Sequence, residues 1–334
     1  MTPSDAPAVA RPDAPLARAL SAALDAAVLE GEPALDALHD LRPVDRRDRF
    51  LSLLEVYDLH TAPLEVVGDR ARFQHAPAVA ALKGRLESDW LAELEAHWET
   101  AGPLTQCEGP REVVQAMRAV AARDRLPAAY RWLARSATHE QLVHFLALEG
   151  GPDGGFDDLV AACQIGLSGS AKLELGKNFW DEMGQGDAAG VHTELHSRLV
   201  RALELPAVPR AELPVEALER AAMGGLLATN RWLQPEMIGA LGLLELQAGP
   251  RCRLVLQGFD RLGVAADAYP FYVEHAEVDP VHGKDWMDKA IEPLARERPE
   301  WGARMVKGAW WRATLNLQFF TAAMDALVGE PAAA

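Results

Sequence analysis

The sequence predicts an all-α protein, and two observations carry that prediction. Apolar residues recur at three- and four-residue steps along most of the 334-residue chain, as they do on one face of an α-helix. The Gly-, Asn- and Asp-rich turns that mark β-hairpins are almost absent, and strand-like runs such as LEVVG at 64–68 stand alone. We therefore expect a bundle of helices without a sheet.

The segment from Pro77 to Gly102 illustrates the helical pattern. Proline favours the first turn of a helix and glycine commonly follows its last, so these two residues bracket a helix of about five or six turns. Its apolar residues are Val79, Leu82, Leu86, Trp90, Leu94 and Trp98. Comparable patterns predict helices near 14–29, 34–60, 110–122, 137–149, 156–167, 170–184, 188–204, 214–230, 234–247, 250–263, 269–291 and 299–328.

Domain boundaries are weakly marked in this chain. The stretch ETAGPLTQCEGP at 99–110 is the best candidate linker, because it combines Gly and Pro between two helical patterns. It divides the chain into an N-terminal helical extension, 16–105, and a helical bundle, 106–330, that holds every motif described below. Residues 1–15 are rich in Pro and Ala, and we expect them to be a disordered tail.

Composition limits the partners and the compartment. The net charge of −16, without any basic patch, argues against nucleic acid as a partner. Cys107, Cys163 and Cys252 are widely spaced, which is typical of reduced thiols in the cytoplasm. The N-terminus lacks the apolar core of a signal peptide, and the most apolar stretch, 237–246, is too short to span a membrane.

The octapeptide HAEVDPVH contains His275, Asp279 and His282 at offsets of zero, four and seven residues. On an α-helix, side chains with these offsets lie within about 60° of one another, so the three share one face. Such a face can be solvated, can form a buried polar network, or can bind a metal. The other polar residues of the chain must distinguish these alternatives.

A second stretch, FWDEMGQGDAAGVH, contains Glu182 and His192. In an unbroken helix these two side chains would point about 80° apart. Gly184 and Gly186 are natural helix terminators, and Asp187 can cap a new helix that carries His192. The break therefore allows Glu182 and His192 to converge, although any helix–loop–helix corner uses Gly and Asp in the same way.

Two further glutamates interrupt apolar helices. Glu245 lies in the nearly apolar segment MIGALGLLELQ, where a buried carboxylate requires a cation or hydrogen-bond donors. A solvent gap or an ion pair with a residue such as Arg251 would also explain it. Glu149 ends the apolar segment QLVHFLALE just before a Gly-rich turn, a position where most glutamates are simply exposed.

Together these residues form a mixed set of imidazole and carboxylate groups on separate helices. Such a set favours iron or manganese over structural zinc, which prefers thiolates, and over calcium, which prefers oxygen. Six or seven ligands are too many for one such ion and suffice for two. None of the ten histidines follows a glutamate by three residues, which excludes the usual ferritin-like di-iron pattern.

With these residues the chain resembles the haem-oxygenase-like diiron oxidases and oxygenases, also called iron-containing redox enzymes. His275-x3-Asp279-x2-His282 is similar to a ligand motif on a late helix of that family, and FWDEMGQGD…H to its Glu…His segment. Glu245 stands where the family has another carboxylate ligand. The resemblance covers residues 110–325 and implies a haem-oxygenase-like helical bundle. It implies the following metal ligands: Glu149, Glu182, His192, Glu245, His275, Asp279 and His282.

The resemblance also draws attention to neighbouring positions. Some members of the family carry a glutamate where this chain has Ala189, three residues before His192. Pro280 stands between two of the implied ligands and removes one backbone hydrogen bond from their helix. Asp181 and Glu277 are the nearest acidic candidates to orient the imidazoles.

What the resemblance implies is a non-haem diiron oxidase or oxygenase. It would use two ferrous ions, with manganese as the other candidate, and O2 to oxidise an amine, an amino acid or a fatty-acid-like molecule. Alternatives on the same fold are a cofactor-free oxidase, a thiaminase-type enzyme with Cys163 or Cys252 as nucleophile, and a non-catalytic helical iron-binding protein. We expect a cytoplasmic protein whose partners are a small substrate and O2, with a homodimer contact as a further expectation and with neither nucleic acid nor membrane as a partner.

Overall fold

The computed structural model describes residues 14–150 and 155–328. Within this part of the chain the secondary structure is helical, apart from one isolated bridge between Met183 and Val191. The predicted all-α class is therefore confirmed, and the strand-like run at 64–68 contains a short helix. The first helix begins at Pro15, so the predicted tail at 1–15 lies almost entirely outside the described residues.

The α-helices of the described residues are numbered here in chain order. They are α1 Pro15–Glu30, α2 Arg46–Thr61, α3 Leu64–Val67, α4 Pro77–Glu99, α5 Pro110–Arg123, α6 Ala128–Arg135, α7 His139–Gly150, α8 Phe156–Cys163, α9 Gly169–Glu182, α10 His192–Ala202, α11 Val215–Thr229, α12 Gln234–Leu262, α13 Pro270–Asp285, α14 Glu292–Glu297 and α15 Gly302–Val328. A π-helix spans Trp286–Ile291. The 3-10 helices are Glu32–His39, Gly68–Phe73, Gly102–Gln106, Gly184–Gly186, Ala188–Gly190, Arg210–Glu212, Arg231–Leu233, Ala266–Ala268 and Pro299–Trp301.

Several helices differ from those that the periodicity predicts. The predicted helix at 34–60 is divided, because Pro43 disfavours helix before it and Asp45 caps α2 by accepting from the backbone N–H of Asp48. The predicted helices at 234–247 and 250–263 are a single helix, α12, which continues through Pro250. Helix α6 was not predicted. Local residues thus set the start of α2, whereas the packing of α12 on α13 and α15 explains why that helix continues through its proline.

One hydrophobic core runs through the described residues, from Leu16 in α1 to Ala323 in α15. The N-terminal helices contribute to it, since α2 packs on α11 and α4 packs on α15. The predicted linker at 99–110 holds a 3-10 helix rather than an extended segment. The division into an extension and a bundle stays a prediction.

The long helix α12 packs against both α13 and α15. It meets α13 very closely at Gly283, where an added Cβ would lie 2.8 Å from the carbonyl oxygen of Glu245. Only a residue without a side chain leaves room for that approach. The two helices that carry Glu245 and the HAEVDPVH residues are therefore in contact beside these polar side chains.

Candidate metal centre

The break after α9 brings Glu182 and His192 together. The chain reverses through Gly184 and through Gln185, which has a φ of +54°, and Met183 then bridges to Val191. The Nδ1 atom of His192 lies 2.6 Å from Oε2 of Glu182, and both side chains are buried. The convergence that the Gly-Gln-Gly-Asp break allows is thus present in the structure.

The predicted role of Asp187 needs a correction. Its carboxylate accepts from the backbone N–H of Ala189 and so caps the 3-10 turn at Ala188–Gly190. Helix α10 begins later, at His192, with Val191 before it and without a side-chain cap. This 3-10 turn lies within the chain reversal that the Met183–Val191 bridge closes, and α10 starts directly after that bridge.

His192 and His275 lie next to each other beside Glu182. Their ring centroids are 4.5 Å apart. Glu182, His192 and His275 each offer one atom that could bind a metal, and these three atoms lie within 4.8 Å of one another. The Nδ1 atom of His275 lies 2.7 Å from the carbonyl oxygen of Phe271. A carbonyl can only accept, so Nδ1 carries the proton and Nε2 is left to bind a metal.

Glu182 also belongs to a second group of potential ligands, with Glu245 and His282. All three of these side chains are buried, and Nδ1 of His282 lies 3.6 Å from Oε2 of Glu245. The other ring nitrogen, Nε2, lies 3.0 Å from Oδ2 of Asp181. The Asp181 carboxylate fixes a proton on Nε2 and leaves Nδ1 as the nitrogen that can bind a metal, an arrangement that is common around metal-bound histidines.

Of the two acids that the sequence suggests for orienting imidazoles, Asp181 makes that contact and Glu277 does not. Glu277 is exposed on α13. Asn178, which the sequence analysis missed, orients Glu245, because its Nδ2 donates to Oε1 of Glu245 at 2.7 Å. Its position one turn before Glu182 on α9 was the available signal, because side chains four residues apart share a helical face.

Asp279 lies beside the second group. It is 3% exposed, and its Oδ1 is 3.9 Å from Nδ1 of His282. Burial, with the nearby carboxylates of Glu245 and Glu182, raises the pKa of Asp279 well above its usual range. When Asp279, Glu245 and Glu182 lie close together without a cation, their mutual repulsion favours protonation of one of them. A bound cation would favour the ionised form of all three.

Glu149 lines the same cavity as the potential ligands but does not join them. It belongs to neither group of potential ligands, and its Oε1 accepts a hydrogen bond from the hydroxyl of Tyr130. Arg251 does not pair with Glu245 either: it donates to the carbonyl oxygen of Asp124 at 2.7 Å. The structure therefore gathers the predicted ligands except Glu149, and it leaves Glu245 without the arginine partner that was the alternative explanation.

The imidazoles have different pKa values in the metal-free chain. Burial lowers the pKa of His275 to about 4, so this ring is neutral. Burial also opposes the charge of His282, but Glu245 and Asp181 outweigh it and raise the pKa of His282 to about 9. Burial opposes the charge of His192 as well, but the hydrogen bond to Glu182 together with the negative charges of Glu182 and Glu274 outweighs it, and the pKa of His192 is raised. Protons and carboxylates thus neutralise one another where a metal would otherwise do so.

The residues present fit iron. Oε2 of Glu245 and Nδ1 of His282 are buried atoms without a hydrogen-bond partner among the described residues. An unsatisfied buried polar group costs about 1–3 kcal/mol, so such atoms indicate a missing partner. Imidazole nitrogens together with carboxylate oxygens are a donor set that suits iron.

A cavity of about 440 Å³ opens onto these residues. Helix α12 faces it with Leu244, Glu245, Ala248, Arg251 and Cys252, whose spacing places them on one face. Glu182, His192, His275 and Asp279 line the same cavity. These five potential metal ligands, Glu245 included, therefore border a space large enough for a small organic molecule.

Residues 143–317 of the chain match the family model described as iron-containing redox enzyme. The match covers just over half of the chain and includes every residue of both ligand groups. No curated protein matches the chain.

Proposed function

The chain belongs to the iron-containing redox enzymes, and on this premise we propose that it uses O2 to oxidise a small organic substrate at a centre of two ferrous ions. Its helical bundle is consistent with the haem-oxygenase-like fold that the sequence predicts. The observation that carries the proposal is that Glu182 belongs to both groups of potential ligands. A carboxylate has two oxygens and can bridge two ions, so a shared Glu182 favours a pair of ions over a single one.

We assign ligands to the two ions from these groups. Glu182, His192 and His275 would hold one ion, and Glu182, Glu245 and His282 would hold the other, with Asp279 beside it. Glu149 is left out of this set because it contacts Tyr130. Manganese is compatible with the same donors, but the family favours iron.

Bound ferrous iron supplies the one-electron chemistry through which O2 reacts with organic molecules. The chain's own residues prepare the site for this chemistry. The carbonyl of Phe271 accepts from Nδ1 of His275 and the carboxylate of Asp181 accepts from Nε2 of His282, so that Nε2 of His275 and Nδ1 of His282 are the nitrogens that would bind iron. Burial of Glu182, Glu245 and His282 excludes bulk water from the ligands.

The cavity supports an enzyme over a protein that only binds iron. A non-catalytic iron-binding site does not require a space beside its ligands, whereas Glu182, His192 and His275 of the first group and Glu245 of the second border one of about 440 Å³. The thiaminase-type alternative is disfavoured at both cysteines. Burial raises the pKa of Cys163 to about 12, and burial with Asp279 and Glu149 raises that of Cys252 well above its usual range. Neither thiol is therefore activated as a thiolate.

Metal titration tests the proposal. We expect the full chain to bind two ferrous ions under anaerobic conditions, and we expect the loaded protein to consume O2 in the presence of substrate. Glu182→Gln removes the charge of the shared carboxylate at nearly constant shape, so it should lower the affinity for both ions. A chain that binds a single ion, or none, would contradict the diiron centre.

Glu174→Gln provides a matched control. Glu174 is buried on the same helix as Glu182, but it faces Lys289, with 3.6 Å between Oε2 and Nζ, and belongs to neither ligand group. This variant should keep both ions. Equal losses in the two variants would show that the effect is general destabilisation of α9. Binding of two ions without O2 consumption, across a panel of amines, amino acids and fatty acids, would favour an iron-binding protein.

The expectations about partners and compartment stay proposals. Among the described residues, no helix combines the length and the apolar character needed to cross a membrane. We propose a small molecule and O2 as the partners, a cytoplasmic location and a homodimer contact, with no role for nucleic acid. Size-exclusion chromatography with light scattering tests the dimer.

A further inference from the structure

The proposed reaction requires electrons from outside the chain. When one atom of O2 is inserted into a C–H bond of the substrate and the other leaves as water, O2 accepts four electrons and two protons are taken up. The substrate supplies two of these electrons and the two ferrous ions supply the other two. Two ferric ions remain, so two electrons must reach the buried ligands before the next turnover.

A surface tryptophan lies close to the proposed iron ligands. Trp180 is 54% exposed on α9, and its ring packs against Gly186 in the chain reversal that follows. One peptide unit joins it to Asp181, whose Oδ2 accepts from Nε2 of His282 at 3.0 Å. The route from the surface to a proposed ligand therefore consists of one indole side chain, one peptide unit and one hydrogen bond.

This route and the substrate cavity reach the metal ligands from different sides. Glu182 and His275 border the cavity. Trp180, Asp181 and His282 do not contribute to its lining. A molecule bound in the cavity therefore leaves the route through Trp180 open, so that substrate and electrons do not compete for one entrance.

Trp180 belongs to an exposed stripe on α9. Leu173, Lys177 and Trp180 follow one another at steps of four and three residues, so they share one side of the helix, and all three are exposed. An exposed leucine and an exposed tryptophan together offer an apolar contact area, and tryptophan is enriched in protein–protein interfaces. Electron-transfer complexes are small, with less than about 1,200 Å² of buried surface, so a narrow contact area is sufficient.

Lysines are concentrated around this stripe. Glu174 on α9 lies 3.6 Å from Lys289 of the π-helix, so the residues at 284–289 lie beside α9. Four of the six lysines of the chain are found on α9 or at 284–289: Lys172, Lys177, Lys284 and Lys289. We call the stripe and these four lysines the α9 face.

Ion pairs offset part of the positive charge of the α9 face. Lys177 lies 3.5 Å and Lys289 lies 2.6 Å from Oδ2 of Asp285. The carboxylates of Asp285 and Glu174 are buried, whereas the side chains of Lys177 and Lys289 are 51% and 49% exposed. The ammonium groups therefore form the outer layer, above the carboxylates that pair with them.

The remaining charges of this surface are also predominantly basic. Lys284 and Arg118 share Asp288, at 2.8 Å and 3.6 Å, and Lys172 donates to a backbone carbonyl oxygen. Besides Asp181, whose carboxylate serves the metal centre, five basic groups thus meet three carboxylates. Over the whole chain the balance is reversed, with 49 acidic against 33 basic residues. The α9 face is therefore a basic region of an acidic protein.

We propose that the α9 face docks a small acidic iron–sulfur protein, whose electrons enter through Trp180 and Asp181. This inference rests on the proposed function, because it takes the electrons to be those that the iron ions need. In each of two encounters the reduced cluster of the carrier gives up one electron and one ferric ion becomes ferrous. An acidic carrier is repelled by an acidic surface and accepted where lysines are concentrated, so charge selects both the partner and its orientation.

Calorimetric titration of the metal-free full chain tests the docking. The probe is an oxidised plant-type 2Fe–2S ferredoxin, which is acidic. We expect a one-to-one complex with a Kd of about 1–100 μM at an ionic strength of about 0.02 M. Raising the ionic strength to about 0.2 M should weaken the complex at least about tenfold, because salt screens exposed charges.

Charge reversal locates the contact. Lys177→Glu combined with Lys284→Glu should weaken ferredoxin binding at least about tenfold. The matched control is Arg131→Glu combined with Arg135→Glu, which makes the same change of charge at exposed positions of α6. It should change the affinity less than about threefold. Circular dichroism checks folding, and if the first double variant is unfolded, Lys177→Gln combined with Lys284→Gln replaces it, with a weakening of about fivefold expected.

Electron entry has a readout of its own. The chain loaded with ferric iron is mixed anaerobically with reduced ferredoxin, and stopped-flow absorbance follows the oxidation of the ferredoxin cluster. Trp180→Leu keeps an apolar side chain but removes the ring, so it should slow this oxidation several-fold at saturating ferredoxin. Dithionite, a small reductant, should reduce the iron of Trp180→Leu and of the unaltered chain at equal rates.

Four results would overturn the inference. They are the absence of a complex at low ionic strength, equal affinities of the two charge-reversed variants, and an unchanged rate of ferredoxin oxidation in Trp180→Leu. The fourth is a dimer, seen by light scattering, that Trp180→Leu dissociates, since the α9 face would then belong to a second copy of the chain. Failure of the metal centre has a different signature, because ferredoxin would bind the α9 face as expected while the chain takes up no iron.

Discussion

Nη1 of Arg253 lies 2.6 Å from the carbonyl oxygen of Ala276, the oxygen to which an ordinary residue at position 280 would donate. Pro280 has no N–H, so α13 would leave this buried carbonyl without a helical partner between two of the proposed ligands. Arg253, on α12, supplies the missing donor. The kink that a proline introduces is thereby tied to the neighbouring helix.

Replacing Arg253 should therefore destabilise the protein in a way that depends on Pro280. We expect Arg253→Ala to lower the free energy of unfolding by about 1 kcal/mol, because the carbonyl of Ala276 loses its donor. In a Pro280→Ala background the restored N–H can serve the carbonyl, so the same replacement should have little effect. Urea unfolding of the two single variants and the double variant gives the coupling energy. Additive effects would show that Arg253 does not substitute for the missing N–H.

The contact between His282 and Asp181 should control metal affinity. Asp181→Asn removes the carboxylate that holds the proton on Nε2, so Nδ1 is less reliably free to bind. We expect about tenfold to hundredfold weaker binding of one of the two ferrous ions. The matched control is Glu277→Gln, which neutralises an exposed acid on α13. Equal affinities of Asp181→Asn and the unaltered chain would contradict the assignment of Nδ1 as donor.

Close packing of α12 and α13 should be sensitive to a single methyl group. Gly283→Ala places a Cβ 2.8 Å from the carbonyl oxygen of Glu245, and a backbone atom cannot move aside as a side chain can. We expect a loss of about 1–3 kcal/mol in the free energy of unfolding, together with weaker iron binding.

Gly84→Ala is the control for this substitution. Gly84 lies inside α4, and an added Cβ there meets no atom within 4 Å. Alanine is the better helix former, so this variant should gain about 0.5–1 kcal/mol in thermal or urea unfolding. If both glycine variants were equally stable, the helix contact at Gly283 would be looser than the structure indicates.

Metal affinity should increase with pH in the neutral range. The pKa of His282 is raised to about 9, so without a metal this ring is an imidazolium at neutral pH and carries a second proton on Nδ1. A metal that binds Nδ1 must displace that proton. Asp279, whose pKa is also raised, adds to the same effect. His275 does not contribute, because its pKa of about 4 leaves it neutral. Anaerobic ferrous titrations between pH 6 and pH 8 in weak buffer should show tighter binding at higher pH and release of protons. Affinity that is independent of pH would contradict these protonation states.

The sequence alone was sufficient for much of the site. The offsets of His275, Asp279 and His282 place them on one helical face whatever the tertiary fold, because helix geometry is local. The glycine break after Glu182 was recognisable for the same reason, since it depends on the conformational freedom of two residues. Glu245 was conspicuous because an acid within an apolar helix requires a partner.

Other features could not be derived from local pattern. Glu149 and Glu182 both end apolar or amphipathic helices, yet only Glu182 reaches the other ligands. Asn178 is an ordinary polar residue in sequence, and its importance comes from burial beside Glu245. The continuity of α12 through Pro250 was missed because the predictions weighed the proline above the packing on α13 and α15.

The sequence by itself determined the all-α class, the position of most helices and the chemical nature of the potential ligands, since each depends on residues within a few turns of one another. Only the tertiary structure decided which carboxylate stands between the two groups of ligands and which acid orients His282. These relationships depend on how distant helices cross, and crossings such as that of α12 and α13 at Gly283 are set by packing across the whole core.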